Sequence, residues 1–438
     1  MSEKYSWMND EIPLIEPHSI VKHEVIKRYI NQYINTICKN PRVQQMKLVV
    51  VDGFCGGGIY KDQNNKEVLG SPFVIITAIE EALQQINEKR QLPLELLLTF
   101  YFIDKSKAAI ACLKKQTRER YPDLYPHINF VADKFINVYK KVIHDIKNER
   151  PKTKRALFVL DQYGYSDVPM EVLQGIFAGL ELPEVILTYS MGAMLVYLNE
   201  SDQMLATLRK LGLYDELAPH LSMIKEYKDG NSYFRFFETR VSTAIREKCG
   251  ATYVTPFFIA KETKNRLHKD RYYYWILHFS KKRIANEVMK DVHWDFANES
   301  SHFDSVGIYG IGYNGNRDLN LRGQKDLFVA DQVGFTPEIR QSSIAETTGQ
   351  LEEIFYNERM RYNHTDFTVE DVYNRLANHS IASREMINIC LENLIKRKII
   401  IIRDGNGKER RRYTTIHKND IISVINNQNI FLMPNITF

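Results

Sequence analysis

Cysteine is scarce in this sequence, and no two cysteines stand at a short spacing. The five are Cys38, Cys55, Cys112, Cys249 and Cys390, in a chain of 438 residues. An odd number at wide spacing indicates neither a disulfide framework nor a cysteine-rich zinc site, and it fits a reducing compartment.

Long apolar runs and an excess of one charge are also missing. The N-terminus lacks the apolar core of a signal peptide, and no run is long enough to cross a bilayer. The formal net charge is only +5. His18, His23 and His278 have no partner at a metal-ligand spacing. We therefore expect a soluble, cytoplasmic protein with no membrane partner and no bound metal.

What the sequence does contain is an alternation of β-rich runs and helical periodicity. Continuous apolar runs alternating with amphipathic helices are typical of a parallel sheet covered by helices on both faces. The predicted strands are 46–52, 95–104, 128–133, 155–161, 183–190, 251–260 and 271–280. The predicted helices between and before them are 19–37 with Ser19 as N-cap, 70–89, 106–121, 134–148 and 169–180. This pattern predicts a doubly wound α/β domain.

The character of the chain changes twice after this alternation. Residues 191–250 are helical and polar, which predicts an insertion, and the domain is expected to end near residue 310. Residues 311–345, rich in Gly and Asn at their start, are interpreted as a linker. From 346 to 438 the pattern is three helices, two of them capped by Thr368 and Ser383, and then a hairpin around DGNG at 404–407. This order predicts a winged helix-turn-helix domain.

A glycine loop directly follows the first predicted strand. The stretch VVVDGFCGGG ends the strand at Asp52 and then brings Gly53, Gly56, Gly57 and Gly58. Glycine allows close approach of a ligand to the backbone, and ligands bind at this edge of a doubly wound sheet. The alternative for the loop is a tight strand-to-helix turn.

Acids stand at the ends of the first four strands, at Asp52, Asp104, Asp133 and Asp161. An acid after the second strand can accept both hydroxyls of a ribose. Each acid by itself could equally be a helix cap or a turn former. Four at one edge of a sheet favour a nucleotide-like ligand.

DGFCGGG does not fit GxGxxG, but it resembles the DxFxGxG loop of class I S-adenosylmethionine-dependent methyltransferases, especially the group that methylates amines of nucleic acids. The resemblance implies S-adenosyl-L-methionine as cofactor. It implies that the methionine end meets the first loop, the ribose meets Asp104 and the adenine meets Asp133. The implied cofactor-binding residues are Asp52, Gly53, Phe54, Gly56, Gly58, Asp104 and Asp133.

In that group the fourth strand carries [DNS]PP[YFW], whose polar side chain binds the target amine while the aromatic stacks on the base. Here the stretch is LDQYGYSDVP. Asp161 and Tyr163 match in type, whereas Gln162 and Gly164 depart from the motif. Asp161, Gln162 and Tyr163 are therefore the candidate catalytic residues. Because proline fixes φ and glutamine does not, the departure weakens the case for base methylation.

The whole chain resembles the three-Cys-motif partner family, bacterial proteins with a methyltransferase-like domain and a C-terminal winged helix. The matching pieces are VKHEVIKRYI (21–30), VDGFCGGGIY (51–60), GSP (70–72), FYFIDKS (100–106) and FVLDQYGYSDVP (158–169). The family commonly has D-P-F-G at the fourth strand, so Gln162 departs from this pattern also. The resemblance implies a partner protein and leaves the substrate open.

Basic residues are concentrated near the C-terminus. Such a patch on a recognition helix and wing would contact phosphates, which makes nucleic acid the expected partner. The alternatives are a solvated surface or a protein-docking winged helix. The candidate nucleic-acid-binding residues are Arg384, Lys396, Arg397, Lys398, Arg410, Arg411 and Arg412.

Taken together, these features predict a methyltransferase that acts on nucleic acid, at a base amine. One alternative keeps the cofactor and changes the target to a protein or small molecule. The other is a non-catalytic component that binds S-adenosylmethionine or another nucleotide in a defence or mobile-element system, and Gln162 favours it.

Overall fold

The chain forms two compact units, Met1–Val292 and His293–Phe438, whereas the sequence placed the end of the first domain near residue 310. The computed structural model describes residue 7 and residues 11–223, 231–260, 273–295, 301–303, 306–308, 333–362 and 366–425. Most of the predicted linker, up to residue 332, lies outside these residues.

The first unit alternates strands and helices as predicted. From Pro17 to Asp295 the helices and strands are α1 Pro17–Ile37, β1 Gln45–Asp52, β2 Ile59–Lys61, β3 Glu67–Leu69, α2 Ser71–Asn87, β4 Glu95–Asp104, α3 Lys107–Arg120, β5 Ile128–Ala132, α4 Phe135–Asn148, β6 Arg155–Asp161, α5 Met170–Gly179, β7 Leu182–Tyr189, α6 Met191–Tyr197, α7 Asp202–Leu211, α8 Tyr214–Leu217, α9 Asn231–Lys248, β8 Tyr253–Ala260, β9 Tyr273–Ser280 and α10 Arg283–Asp295.

Seven strands of the first unit lie in one sheet. Five are parallel, in the order β5-β4-β1-β6-β7, and β9 lies antiparallel between β7 and β8. From β1 the chain first builds outward through β4 and β5 and then returns to the other side with β6, so the topological switch point lies between β1 and β6.

Both faces of the sheet are buried. Val49 and Val51 of β1 pack in a core cluster with α4 and α5, while Val50, which points to the opposite face, is equally buried. The predicted doubly wound, mostly parallel sheet of seven strands is thus confirmed for the first unit.

The structure adds a hairpin to the predicted strands of the first unit and moves the predicted start of α1. The polar stretch after the glycine loop is a hairpin, β2–β3, because Asp62 Oδ1 accepts the N–H groups of Asn64 and Lys66 at its turn. Helix α1 begins at Pro17, with Glu16 rather than Ser19 as its N-cap; proline suits a first turn, where its missing N–H has no intrahelical partner.

The second unit is a mixed α/β body with short strands. After the strand pair β10 Ser301–Phe303 and β11 Val333–Gly334 come α11 Pro337–Tyr362, β12 Asp366–Thr368, α12 Val369–Ala377, α13 Arg384–Lys396, β13 Ile400–Arg403, β14 Glu409–Arg410 and β15 Ile421–Val424. The last four strands pair antiparallel in the order β12-β15-β13-β14. The predicted caps Thr368 and Ser383 accept backbone N–H groups at the starts of α12 and α13.

Candidate functional site

The predicted acids do meet at one edge of the sheet, at two different depths. In the register, Asp52 is paired with Phe102 and Val159. Asp104 and Asp161 therefore extend two residues beyond Asp52, roughly 7 Å at the rise of a strand. We call this edge, where β1, β4, β5 and β6 end, the carboxyl edge.

The glycine loop crosses the carboxyl edge between β6 and β4. The Gly53 N–H donates to Val159 O at 2.9 Å and the Cys55 N–H donates to Ile103 O at 3.0 Å. Gly58 has φ +80°, and a Cβ there would lie 2.5 Å from Leu113 Cδ1. Backbone conformation and lack of space both require glycine at this position.

Two glycines of the loop, Gly56 and Gly57, make room for a side chain that the sequence did not point to. Trp7 donates from Nε1 to Ile59 O at 3.2 Å, and a Cβ on Gly57 would lie 2.3 Å from that nitrogen. Tyr60 packs edge-on against the same indole. Part of the glycine content is thus explained by the protein's own packing.

Asp52 lies beneath the loop with no exposed surface. Its Oδ1 accepts the Phe54 N–H at 3.1 Å, and its Oδ2 accepts the hydroxyl of Ser71, the first residue of α2, at 2.6 Å. Burial raises the pKa of Asp52 to about 7 against these hydrogen bonds, and Asp161 and Asp104 add to the rise. Asp52 therefore positions the loop, in contrast to the direct cofactor contact that the resemblance implied.

Asp104 and Asp133 are partly exposed at the same edge. Asp104 accepts the Gly56 N–H at 3.0 Å and the Ser106 N–H at 2.7 Å, so it ties the loop to β4. Asp133 accepts from Lys134 N at 2.6 Å and from Asn137 Nδ2 at 2.8 Å, at the start of α4. Both acids thus serve the turns in which they stand, and both keep surface toward solvent.

The fourth-strand acid is held by a lysine from the N-terminal helix. Lys22 Nζ lies 2.6 Å from Asp161 Oδ1 and 2.7 Å from Oδ2. Burial alone would raise the pKa of Asp161, but the charge and hydrogen bonds of Lys22, with a hydrogen bond from Thr188, hold it below its ordinary value. This pair could not be predicted from the sequence, because a lysine on an amphipathic helix normally lies in solvent.

Gln162 does not face outward as the sequence suggested. Only 1% of the residue is exposed, and its Oε1 accepts the N–H groups of Asp167 and Val168 at 3.0 and 3.1 Å. Its Nε2 is buried and has no hydrogen-bond partner among the residues that the structure describes. Gln162 therefore pins the loop that follows the strand, whereas its neighbour Tyr163 is 67% exposed.

The histidines predicted to be isolated have local roles. His278 Nε2 lies 2.9 Å from the Tyr29 hydroxyl in the core, and His18 stacks on the Tyr274 ring at 4.9 Å. Burial lowers the pKa of His23 to about 4, so this imidazole is neutral at pH 7. No group of three or more potential metal ligands occurs among the residues that the structure describes.

In the second unit, most of the predicted nucleic-acid-binding cations have partners within the unit. Arg397 pairs with Glu352 at 3.0 Å, and Arg410 pairs with Asp404 and Asp420 at 3.3 and 3.2 Å. The remaining contacts are Lys396 with Glu392, Arg411 with Glu409, and Arg384 over the Tyr373 ring. Lys398, at φ +57° after α13, and Arg412 are exposed. Most of these cations are thus engaged within the second unit, in ion pairs or over an aromatic ring.

Comparison with known proteins finds similar folds at very low identity. The chain is similar to the plantazolicin methyltransferase BamL in complex with a triazolic desmethylPZN analog and SAH, with 14% identity, coverage of 60% of this chain and 85% of that one, and a TM-score of 0.24. It is also similar to a putative rRNA-methylase from Clostridium thermocellum, with 11% identity, coverage of 57% of this chain and 94% of that one, and a TM-score of 0.24. A third similar structure is geranyl diphosphate methyltransferase in complex with GPP and sinefungin, with 9% identity, coverage of 57% of this chain and 77% of that one, and a TM-score of 0.24.

No protein-family model matches the chain, and no curated protein matches it. Membership of the three-Cys-motif partner family therefore stays a prediction. Among the described residues, no helix is long and apolar enough to cross a membrane.

Proposed function

We propose that the first unit is an S-adenosylmethionine-dependent methyltransferase domain. The observation that carries this proposal is the glycine loop at the switch point, bound to Asp104 of β4 through the Gly56 N–H. In open α/β sheets, ligands bind outside the carboxyl ends of the strands at this point. The antiparallel β9 beside β7 separates the sheet from a purely parallel dinucleotide fold.

The residues that would hold the cofactor lie along the carboxyl edge. Gly53 to Gly58 would present backbone to it, Asp104 would accept from the ribose, and Asp133 would lie toward the adenine. Asp52 and Phe54 would support the loop from below. The cofactor would supply an electrophilic methyl group on a sulfonium.

The target that we propose is an amine of a nucleic-acid base. Tyr163 offers an exposed ring for stacking, which tolerates any base, and Asp161 is an ionised acceptor beside it. The helix–strand–helix–helix–strand order of the second unit supports a winged helix, with Lys398 and Arg412 as exposed cations for phosphate contact. Two further parts of this proposal are a partner protein, which the family resemblance implies, and a cytoplasmic location, which the wide spacing of the cysteines favours.

One observation favours a second candidate, a non-catalytic nucleotide-binding component. The side-chain oxygen of Gln162 is directed into its own loop, and both oxygens of Asp161 are bound by Lys22. The ion pairs within the second unit likewise leave open a target that is a protein or small molecule, with this unit as a docking surface.

The test is calorimetric titration of S-adenosylmethionine into the wild type, Asp104→Ala and the control Asp145→Ala. Asp145 is an acid on α4 that pairs with Lys141 in the same helix at 2.8 Å. We expect micromolar-range binding that Asp104→Ala abolishes and Asp145→Ala preserves. A screen for labelled methyl transfer to DNA, RNA and protein follows.

Absence of binding by folded wild type would refute the methyltransferase proposal for this chain. Binding without transfer to any of the three polymers, in the presence of cell extract as a source of partner, would favour the nucleotide-binding component.

A further inference from the structure

In the motif that the chain resembles, a proline follows the fourth-strand acid, whereas here Gln162 follows Asp161. Other contacts nevertheless hold Asp161 and the loop after it in place. Two side chains from different parts of the chain do this. Lys22 binds both oxygens of Asp161, and Gln162 pins the following loop through Asp167 and Val168.

Lys22 is not a loose surface lysine, because α1 is fixed at both ends of the sheet. Lys22, Tyr29 and Tyr33 are spaced by seven and four residues, so they share one helix face. Tyr29 donates to Glu184, near the start of β7, and Tyr33 accepts from Arg155, the first residue of β6, at 3.2 Å. The eleven residues from Lys22 to Tyr33 span roughly 16 Å of helix, and β6 spans roughly 20 Å.

The ion pair is asymmetric toward solvent. The Lys22 side chain is 6% exposed and that of Asp161 is 18% exposed. The ammonium therefore approaches from the protein side, and the remaining opening belongs to the carboxylate. This is the arrangement expected of an acceptor that is held from behind and presented forward.

The other polar groups around Asp161 come from four elements. His23 of α1 is neutral and Thr188 of β7 donates a hydrogen bond. The charge of Asp161 in turn raises the pKa of Asp52 of β1 and of Tyr274 of β9. The Lys22 ammonium also lies 5.6 Å from the centre of the Tyr274 ring. Lys22 is thus the only cation among these groups at neutral pH in the part of the chain that the structure describes.

We propose that Lys22 is a positioning residue of the methyl-transfer site, which keeps Asp161 ionised and oriented to accept a hydrogen bond from the target amine. This inference rests on the proposed function. In the step, an N–C bond forms as the C–S bond breaks, the electron pair of that bond goes to sulfur, and the proton released by nitrogen passes through Asp161 to water. Where the resembled motif fixes the backbone after the acid with a proline, this chain fixes the carboxylate itself through Lys22.

The experiment compares Lys22→Met and Lys22→Arg with two controls on the same helix. Lys27→Met removes a half-exposed cation paired with Glu81, and Tyr29→Phe weakens the other end of α1 without contact to Asp161. Cofactor affinity is measured by calorimetry, and kcat/KM for labelled-methyl transfer is measured from pH 5.5 to 9.

We expect Lys22→Met to bind S-adenosylmethionine within about twofold of wild type. Its kcat/KM should fall about tenfold at pH 6 and recover as the pH rises, because a buried carboxylate without a cation is protonated at higher pH and one pKa unit is tenfold in population. Lys22→Arg should keep the wild-type profile, and Lys27→Met should be unchanged.

Several outcomes would overturn the inference. A loss in Lys22→Met that is equal at every pH and matches Tyr29→Phe would make Lys22 a structural anchor only. If Lys22→Met does not fold, Lys22→Gln, which keeps a hydrogen-bond donor without a charge, decides: a loss of transfer at pH 6 that recovers by pH 8 supports the inference, and a loss of equal size at both pH values contradicts it. Wild type that binds no cofactor refutes the proposed function itself, and this inference with it.

Discussion

The buried acid beneath the glycine loop should make the protein less stable as the pH rises toward neutral. Asp52 has no exposed surface, and burial raises its pKa from the ordinary 3.8 to about 7. In the unfolded chain the carboxyl group ionises near pH 4, whereas in the folded chain it keeps its proton up to about pH 7. Its contribution to stability is therefore fully present below pH 4 and is lost as the pH rises to about 7.

The variant Asp52→Asn tests this prediction, because it removes the ionisable group and keeps an oxygen to accept the Phe54 N–H. At 1.4 kcal/mol per pKa unit, the full rise corresponds to about 4 kcal/mol, of which about 3 kcal/mol falls between pH 5 and pH 8. A stability difference of 1 kcal/mol shifts the melting temperature of a domain of about this size by about 2–4 °C. The melting temperature of Asp52→Asn relative to that of wild type should therefore rise by about 6–12 °C between pH 5 and pH 8.

The assay is the melting temperature of both proteins, by circular dichroism, at steps from pH 5 to pH 8. Asp133→Asn is the matched control, since it removes a partly exposed acid from the same edge. A difference between Asp52→Asn and wild type that stays constant over this range, or that moves the same way in Asp133→Asn, would show that the buried carboxylate does not control stability as we infer.

Two further predictions concern the loop and the second unit. Gly58→Ala should lower the free energy of unfolding by about 1–3 kcal/mol and abolish cofactor binding, because φ is +80° and the new Cβ would meet Leu113. The control Gly164→Ala, where a Cβ has open space, should change neither quantity. If the two variants had equal melting temperatures and equal cofactor affinities in calorimetry, the reasoning would be contradicted. Arg412→Ala should reduce the slope of log affinity for duplex nucleic acid against log salt by about one, without lowering the melting temperature. Arg410→Ala should instead destabilise the second unit, because it breaks two ion pairs. An unchanged slope in Arg412→Ala would remove this residue from the proposed interface.

The fold and the carboxyl edge could be predicted because they depend on local patterns. Apolar runs that end in an acid identify strands, and parallel strands bring their ends together whatever the sequence between them. The predicted caps Thr368 and Ser383, which accept the N–H groups of Asp371 and Met386 at 3.1 and 3.4 Å, follow from the same kind of short-range chemistry.

What the sequence could not show depends on contacts between distant residues. Lys22 and Asp161 are 139 positions apart, and nothing in either neighbourhood marks them as partners. Trp7 lies outside any periodic segment, so its packing on the glycine loop had no signal. Helix α11 begins at Pro337, within the stretch predicted to be a linker. Thr336 followed by Pro337 is a helix-start signal, but the polar residues after it show no apolar periodicity that would have predicted the helix.

The anchoring of α1 has a consequence during synthesis. Helix α1 leaves the ribosome before the strands on which it packs, because Asp161 and Glu184, which bind Lys22 and Tyr29, follow these residues by 139 and 155 positions. At about 5–20 residues per second, the face of this helix that is buried in the folded protein stays uncovered for roughly 7–30 s. For that interval the N-terminal segment is an exposed amphipathic surface, and a chaperone or a partner protein present at the ribosome would meet this face before the sheet does.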